Sequence, residues 1–187
     1  MNQEIFDLLI AEANHPFSGW DFSYITATGR MAEAPLAWSY ASKLLPVLRK
    51  AQSLLDMGTG GGEYLSRLQP LPPLTCATEG YTPNIPVARK RLEPLGVQVY
   101  EVGDDGQLPF EDNQFDLVIN RHEYYDPKEV LCVLKPGRRF FTQQVGGENE
   151  QTLNILLGAA ANQYTYWTLD YAVRELQEAG WHIINIY

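Results

Sequence analysis

The sequence predicts an α/β fold built on a doubly wound, mostly parallel sheet, and three observations predict it. From Ser53 onward, short apolar runs alternate with amphipathic helical stretches. The first of those runs ends in the glycine-rich turn DMGTGGGEYL, the strand-to-helix junction where such sheets hold ligands. Hydrophobic residues make up 45% of the 187 positions, enough to bury one core of single-domain size. The chain therefore reads as one domain, 1–187, with a helical N-terminal segment over 1–50 and a ligand-binding core over 51–187.

The elements follow in order. Ile5, Phe6, Leu8, Leu9 and Ala13 sketch a short helix that His15-Pro16 stops, and Leu36, Tyr40, Leu44 and Leu48 mark a second at i+4 steps. Strands are predicted at Leu54–Met57, Leu74–Thr78, Val97–Val102, Phe115–Asn120, 138–145 and Trp181–Tyr187. Helices are predicted at Glu63–Leu68, Asn84–Leu95, Asp126–Leu134, Gln151–Ala161 and Leu169–Ala179. Asp126-Pro127 supplies an N-cap and a first-turn proline, Lys135-Pro136-Gly137 breaks that helix, and Gly180 caps the last one.

A net charge of -9 weighs against a nucleic-acid partner, whose phosphate backbone draws on clustered Lys and Arg. The one basic run, Arg89-Lys90-Arg91, is expected to be solvated helix surface. Cys76 and Cys132 lie in apolar runs and are expected to be buried free thiols, which points to a reducing, cytoplasmic setting. The first thirty residues lack the basic start and apolar core of a secretory signal. No apolar run approaches the roughly 20 residues that span a bilayer.

The glycine turn by itself permits a phosphate, a dinucleotide or an adenosyl ligand. It lacks the Gly-Lys-Ser/Thr ending of a phosphate loop, which disfavours a nucleoside triphosphate. Glu79 closes the second strand 21 residues beyond Gly58, where an acid takes both hydroxyls of a ribose. That feature fits a nicotinamide dinucleotide as well as an adenosyl ligand. The stretch GDDGQLPFEDNQFDLVIN, residues 103–120, separates them: an acid follows the third strand, a Leu-Pro-Phe loop covers a flat ring, and Phe-Asp leads into the fourth strand.

Taken in order, LLDMGTGGGEYL, TEGYTPNIPVARKRL, GDDGQLPFEDNQFDLVIN and VLKPGRRFFTQQV resemble the class I, Rossmann-like S-adenosylmethionine-dependent methyltransferases, of the type 11 and type 25 domain kind. The match runs from about Ser53 to Val145. It implies S-adenosylmethionine as cofactor, with S-adenosylhomocysteine as product. Asp56, Gly58, Thr59, Gly60 and Gly62 would surround the methionine part, Glu79 would hold the ribose hydroxyls, and Gly80 and Tyr81 would lie against the adenine. Asp104 would accept from the adenine amino group, the Asp105 N–H would meet a ring nitrogen, and Asn120 and Arg121 would border the reacting methyl. Arg138-Arg139 departs from the family pattern, which has a second glycine after Pro-Gly.

Methyl transfer from a sulfonium is an in-line displacement that needs alignment first, and a base only where the acceptor keeps its proton near neutral pH. His122 is the candidate base, against a purely structural histidine, with Glu123 and Tyr124 behind it; Asp116 is expected to be structural. The stretch FSGWDFSYITATGR has two readings. Trp20, Phe22 and Tyr24 dock the N-terminal segment on the core, or they close over the cofactor as a lid, Tyr24 excluding water and Arg30 pairing the methionine carboxylate. Gln143 and Gln144 need partners, either in a network under the pocket or in the lid.

The resembled fold adds a seventh, antiparallel strand that this sequence does not supply after Trp181–Tyr187. The expectation is a C-terminal truncation, or a sheet edge closed by a homodimer. The acceptor is expected to be a small molecule, with no membrane partner and no metal. The alternatives are methylation of rRNA or tRNA, and a cofactor-binding fragment without turnover.

Overall fold

The computed structural model describes residues 2–16, 22–32, 34–103 and 105–187. Five strands, β1 (Ser53–Met57), β2 (Leu74–Glu79), β3 (Gln98–Glu101), β4 (Phe115–Arg121) and β5 (Leu134–Gln143), form one sheet in the order β3-β2-β1-β4-β5. Every pairing is parallel. All five residues of β1 are buried, because helices cover both faces of the sheet at its centre.

Around the sheet lie α1 (Gln3–Ala13), α2 (Ser23–Thr26), α3 (Tyr40–Leu48), α4 (Glu63–Ser66), α5 (Ile85–Leu92), α6 (Pro127–Val133), α7 (Gln151–Leu157) and α8 (Leu169–Glu178). One face packs Leu54, Ala77, Leu117 and Ile119 against Leu44 and Leu48 of α3, Leu65 of α4 and Leu92 of α5. The other packs Leu55, Met57, Cys76 and Val118 against Val130 and Val133 of α6 and Leu176 of α8. By contrast, α1, α2 and α7 bury no residue.

Strand order reverses at β1. The chain winds outward through β2 and β3, then crosses to the other side of β1 with β4. The crevice at this switch point lies between the carboxyl ends of β1 and β4, where Met57 pairs with Asn120. The opposite edge is braced by Asp116, which accepts from Gln52 N at 2.8 Å and Ser53 N at 3.2 Å and pairs with Lys135 and Arg138, each at 3.3 Å. Burial alone would raise its pKa, but the Gln52 N–H, Lys135 and Arg138 together hold it below the ordinary value. Asp116 is thus structural.

Three expectations need correction. The fifth strand starts at Leu134, ahead of Lys135-Pro136-Gly137, because a bulge between Phe115 and Leu117 absorbs that turn within the ladder. Trp181–Tyr187 forms no strand. Trp181 Nε1 donates to Pro127 O at 2.9 Å and Ile183 packs on the second core, so side chains rather than a ladder hold this segment, leaving Ile184 and Ile186 exposed. Cys76 is buried as expected, but Cys132 sits on the outer side of α6 and is exposed; both are free thiols.

Candidate functional site

The glycine turn fills the crevice. Gly58, Gly60 and Gly62 all have left-handed backbone, φ of 65°, 62° and 78°. A Cβ on Gly58 would run into the Glu123 side chain, and one on Gly62 into Leu92, so the turn needs glycine for conformation and for space. The Thr59 N–H donates to Thr78 O at 2.9 Å and the Gly60 N–H to Glu79 Oε2 at 2.6 Å, so both point into the fold. The helix behind the turn is one turn long, Glu63–Ser66. What the turn offers a ligand is close approach of bare backbone, more than free N–H groups.

Glu79 ends β2 and is buried, 4% exposed as a residue. It takes Gly60 N at 2.6 Å and Tyr81 N at 2.8 Å, joining the glycine turn to the loop after β2. Burial raises its pKa, and the N–H groups of Tyr81 and Gly60 and the Asn84 side chain oppose that rise. Beside it, Met57, Gly58, Thr78, Gly80, Val102, Gly103, Leu108, Glu123 and Tyr124 line a cavity of about 140 Å³. Leu108 enters this wall because Phe110, two residues on, packs edge-to-face on Tyr100 and Phe115 and anchors the Leu-Pro-Phe loop.

On the adjoining face stand Asp56, Tyr40, Tyr64 and Arg121. Burial lifts the Asp56 carboxyl to about 7, helped by Glu79 and opposed by Thr59 and the charge of Arg121. The Arg121 guanidinium lies over the Tyr64 ring at 4.2 Å and near the Tyr40 ring at 5.7 Å, and its Nε donates to Gln143 Oε1 at 3.2 Å. Tyr40 donates its hydroxyl to Phe141 O at 3.1 Å. The Tyr64 hydroxyl is buried and has no hydrogen-bond partner among the described residues.

Under this group runs a polar network. Asn120, fully buried, donates to Glu123 O at 3.2 Å and accepts from Gln144 Nε2 at 2.6 Å. Gln144 also donates to Thr142 Oγ1 at 2.8 Å. Both glutamines of β5 and its exit are therefore engaged at the crevice, Gln143 with Arg121 and Gln144 with Asn120. His122 is exposed with left-handed backbone, φ 64°, and its N–H donates to Gln143 O at 2.9 Å. That turn swings Glu123 over Gly58 and Tyr124 over Gly106.

Of the residues singled out by sequence, Asp56, Gly58, Thr59, Gly60, Gly62, Glu79, Gly80, Asn120, Arg121 and the 122–124 loop gather at this crevice. Tyr81 is exposed beside it, and Asp105 is exposed with its carboxylate on Gln107 N. Asp104 and Trp20 lie outside the described residues. Tyr24 and Arg30 are engaged elsewhere: both bind the Glu12 carboxylate, Arg30 Nη1 at 2.7 Å, and His15 stacks on the Tyr24 ring at 3.6 Å. Sequence reasoning missed Tyr40 and Tyr64 as site residues, the first because its spacing matched the α3 core face. It also misjudged Arg91, which donates to Gly61 O at 2.6 Å and pairs with Glu63, holding the glycine turn from behind. No cluster of three or more metal-ligating side chains occurs among the described residues.

Residues 55–142 match the family described as a methyltransferase domain. The match runs from within β1 to within β5 and so takes in the glycine turn and the crevice. The methyltransferase fold recurs in solved structures of low identity. A candidate methyltransferase of Bacillus halodurans is 22% identical with a TM-score of 0.59, covering 76% of this chain and 69% of that one. A methyltransferase of Aquifex aeolicus dependent on S-adenosylmethionine is 20% identical with a TM-score of 0.56, covering 86% and 88%. A geranyl diphosphate methyltransferase, solved with S-adenosylmethionine, is 17% identical with a TM-score of 0.54, covering 74% and 62%. No curated protein matches the chain. The crevice suits the methyltransferase cofactor on this chain's own terms: a glycine cradle that a Cβ would fill, a buried acid at the end of β2, and an unpartnered tyrosine hydroxyl beside a stacked arginine.

Proposed function

We propose that this domain transfers a methyl group from S-adenosylmethionine to a small-molecule acceptor at the carboxyl edge of β4 and β5. The observation that carries the reading is the convergence of Glu79, the glycine turn and the Asn120 network on one crevice at the sheet's switch point. When bound, the cofactor supplies an activated sulfonium methyl, so the protein's task is alignment and exclusion of water, worth about 7–11 kcal/mol when done well.

Glu79 would fix the ribose, Asp56 and the glycine turn the amino-acid end, and Gly80, Tyr81, Asp104, Asp105 and Leu108 the adenine. Asn120 holds the 122–124 loop through Glu123 O, and so sets where the acceptor meets the methyl. His122 is the proposed base, for an acceptor that keeps its proton near pH 7; Glu123, which lines the cavity, is the second choice. A negative total charge favours neutral or cationic small molecules over RNA. The outer edge of β5 takes no strand among the described residues, which supports pairing with a second copy. Two free thiols fit a reducing cytoplasm.

The test is a screen of acceptors by chemical class with donor labelled on the methyl. Label appearing in a small molecule, and falling with His122→Gln, supports the reading. Label entering only RNA, or donor bound with no transfer to any class, contradicts it and leaves a nucleic-acid enzyme or a binding module respectively.

A further inference from the structure

We propose that residues 122–124 form a gate over the crevice, hinged at His122, and that the crevice admits cofactor only when this turn swings away from Gly58 and Gly106. The inference rests on the cofactor reading above and adds a step of control to it.

The turn is seated on both sides of the cavity. Glu123 packs so closely on Gly58 that a Cβ there would strike its Cβ, Cγ and Oε2. Tyr124 lies on Gly106, where a Cβ would come within 3.1 Å of its ring. The bare backbone that Gly58 offers a ligand is therefore covered by this chain's own side chain. What remains between Gly58, Gly80, Gly103 and Leu108 is about 140 Å³. Pockets for small ligands and cofactors hold roughly 300–1,000 Å³. An adenosyl ligand that touches both the glycine turn and the loop after β2 must displace Glu123 and Tyr124.

The closed turn is latched, and it is strained at one residue. The His122 N–H donates to Gln143 O at 2.9 Å, so the hinge is fixed to the sheet. Its backbone is left-handed, φ 64°, a conformation that glycine adopts freely and a residue with a side chain does not. Glu123 O takes Asn120 Nδ2 and Gln144 Nε2, each at 3.2 Å, and Glu123 Oε1 takes Tyr124 N at 3.0 Å. His122, Glu123 and Tyr124 are exposed, so a swing uncovers no core, and Tyr125, buried in the second core, ends the moving segment. Strain at His122 favours the open turn and the latch favours the closed one. The open fraction then scales the apparent affinity.

The test follows association of S-adenosylhomocysteine with the full chain by surface plasmon resonance, with calorimetry for affinity and a ligand-free thermal melt of each variant as the folding control. His122→Gly relieves the closed turn and should slow association and weaken affinity by about threefold to tenfold. Glu123→Ala uncovers Gly58 and should speed association and tighten affinity by about threefold or more. A base at either position acts on the acceptor, so a purely catalytic role moves neither quantity. Both variants shifting binding the same way, or neither by more than about twofold, overturns the gate and leaves the cofactor reading standing. Binding by neither the wild-type chain nor the variants overturns the cofactor reading itself.

Discussion

Glu79 and Gly60 are joined by a 2.6 Å hydrogen bond that runs from the end of β2 to the middle of the glycine turn. The same carboxylate holds Tyr81 N at 2.8 Å, so one buried side chain fixes both walls of the crevice before any ligand arrives. A ribose diol would therefore meet an acid already oriented by two N–H donors. Glu79→Gln should turn an amide N–H toward at least one of those donors. We expect a loss of about 1–3 kcal/mol in unfolding free energy by denaturant titration, and a drop in cofactor affinity of tenfold or more by calorimetry.

The glycines of the turn should not be equivalent to glycines elsewhere. Gly62 and Gly96 have similar backbone, φ 78° and 82°, but a Cβ on Gly62 would collide with Leu92 while one on Gly96 meets open space. Gly96→Ala should cost only the left-handed conformation, about 1 kcal/mol. Gly62→Ala should cost clearly more, about 2–4 kcal/mol, because overpacking adds to strain. Paired thermal melts measure the difference.

Arg91 touches no expected ligand position, yet it grips Gly61 O and Glu63 from α5. Arg91→Met keeps the stem and removes the bonds. Stability should fall by about 1 kcal/mol, and cofactor affinity should fall severalfold through a looser turn. Retained affinity with an unchanged melt would show that the turn stands without this brace.

Much of this was legible in sequence. The strands around the turn, the Asp126 cap that accepts from Lys128 N at 2.7 Å, and the structural Asp116 follow from local pattern alone. What was not legible depends on tertiary placement. Arg91 reads as a solvated cation because nothing in α5 reveals that Gly61 lies 2.6 Å from its tip. Tyr40 reads as core because the i+4 pattern cannot show that Arg121 packs on its ring. Trp181–Tyr187 has the apolar content of a strand, but a strand also needs a ladder partner, and its large side chains found the second core instead.

Asp56 gives the site a pH signature. Its carboxyl is raised from an ordinary 3.8 to about 7 in the fold, so its contribution to stability is fully present below pH 3.8 and is lost as pH rises through about 7. The loss is about 4 kcal/mol, and Asp56→Asn should be less sensitive to pH across that window. Binding an ammonium group favours the ionised acid and opposes the rise. Cofactor binding near pH 6 should therefore release up to about one proton, and affinity should climb from pH 5 to pH 7.5. Calorimetry in buffers of different ionisation enthalpy reads the proton directly, and Asp56→Asn should abolish it.

The role of the crevice stands most directly on cofactor binding. Titration of the wild-type chain with S-adenosylmethionine and with S-adenosylhomocysteine, followed by heat and by thermal melt, tests it. Saturable binding of both at one site per chain, with a raised melting temperature, is the predicted result. No heat and no shift with either compound would contradict it.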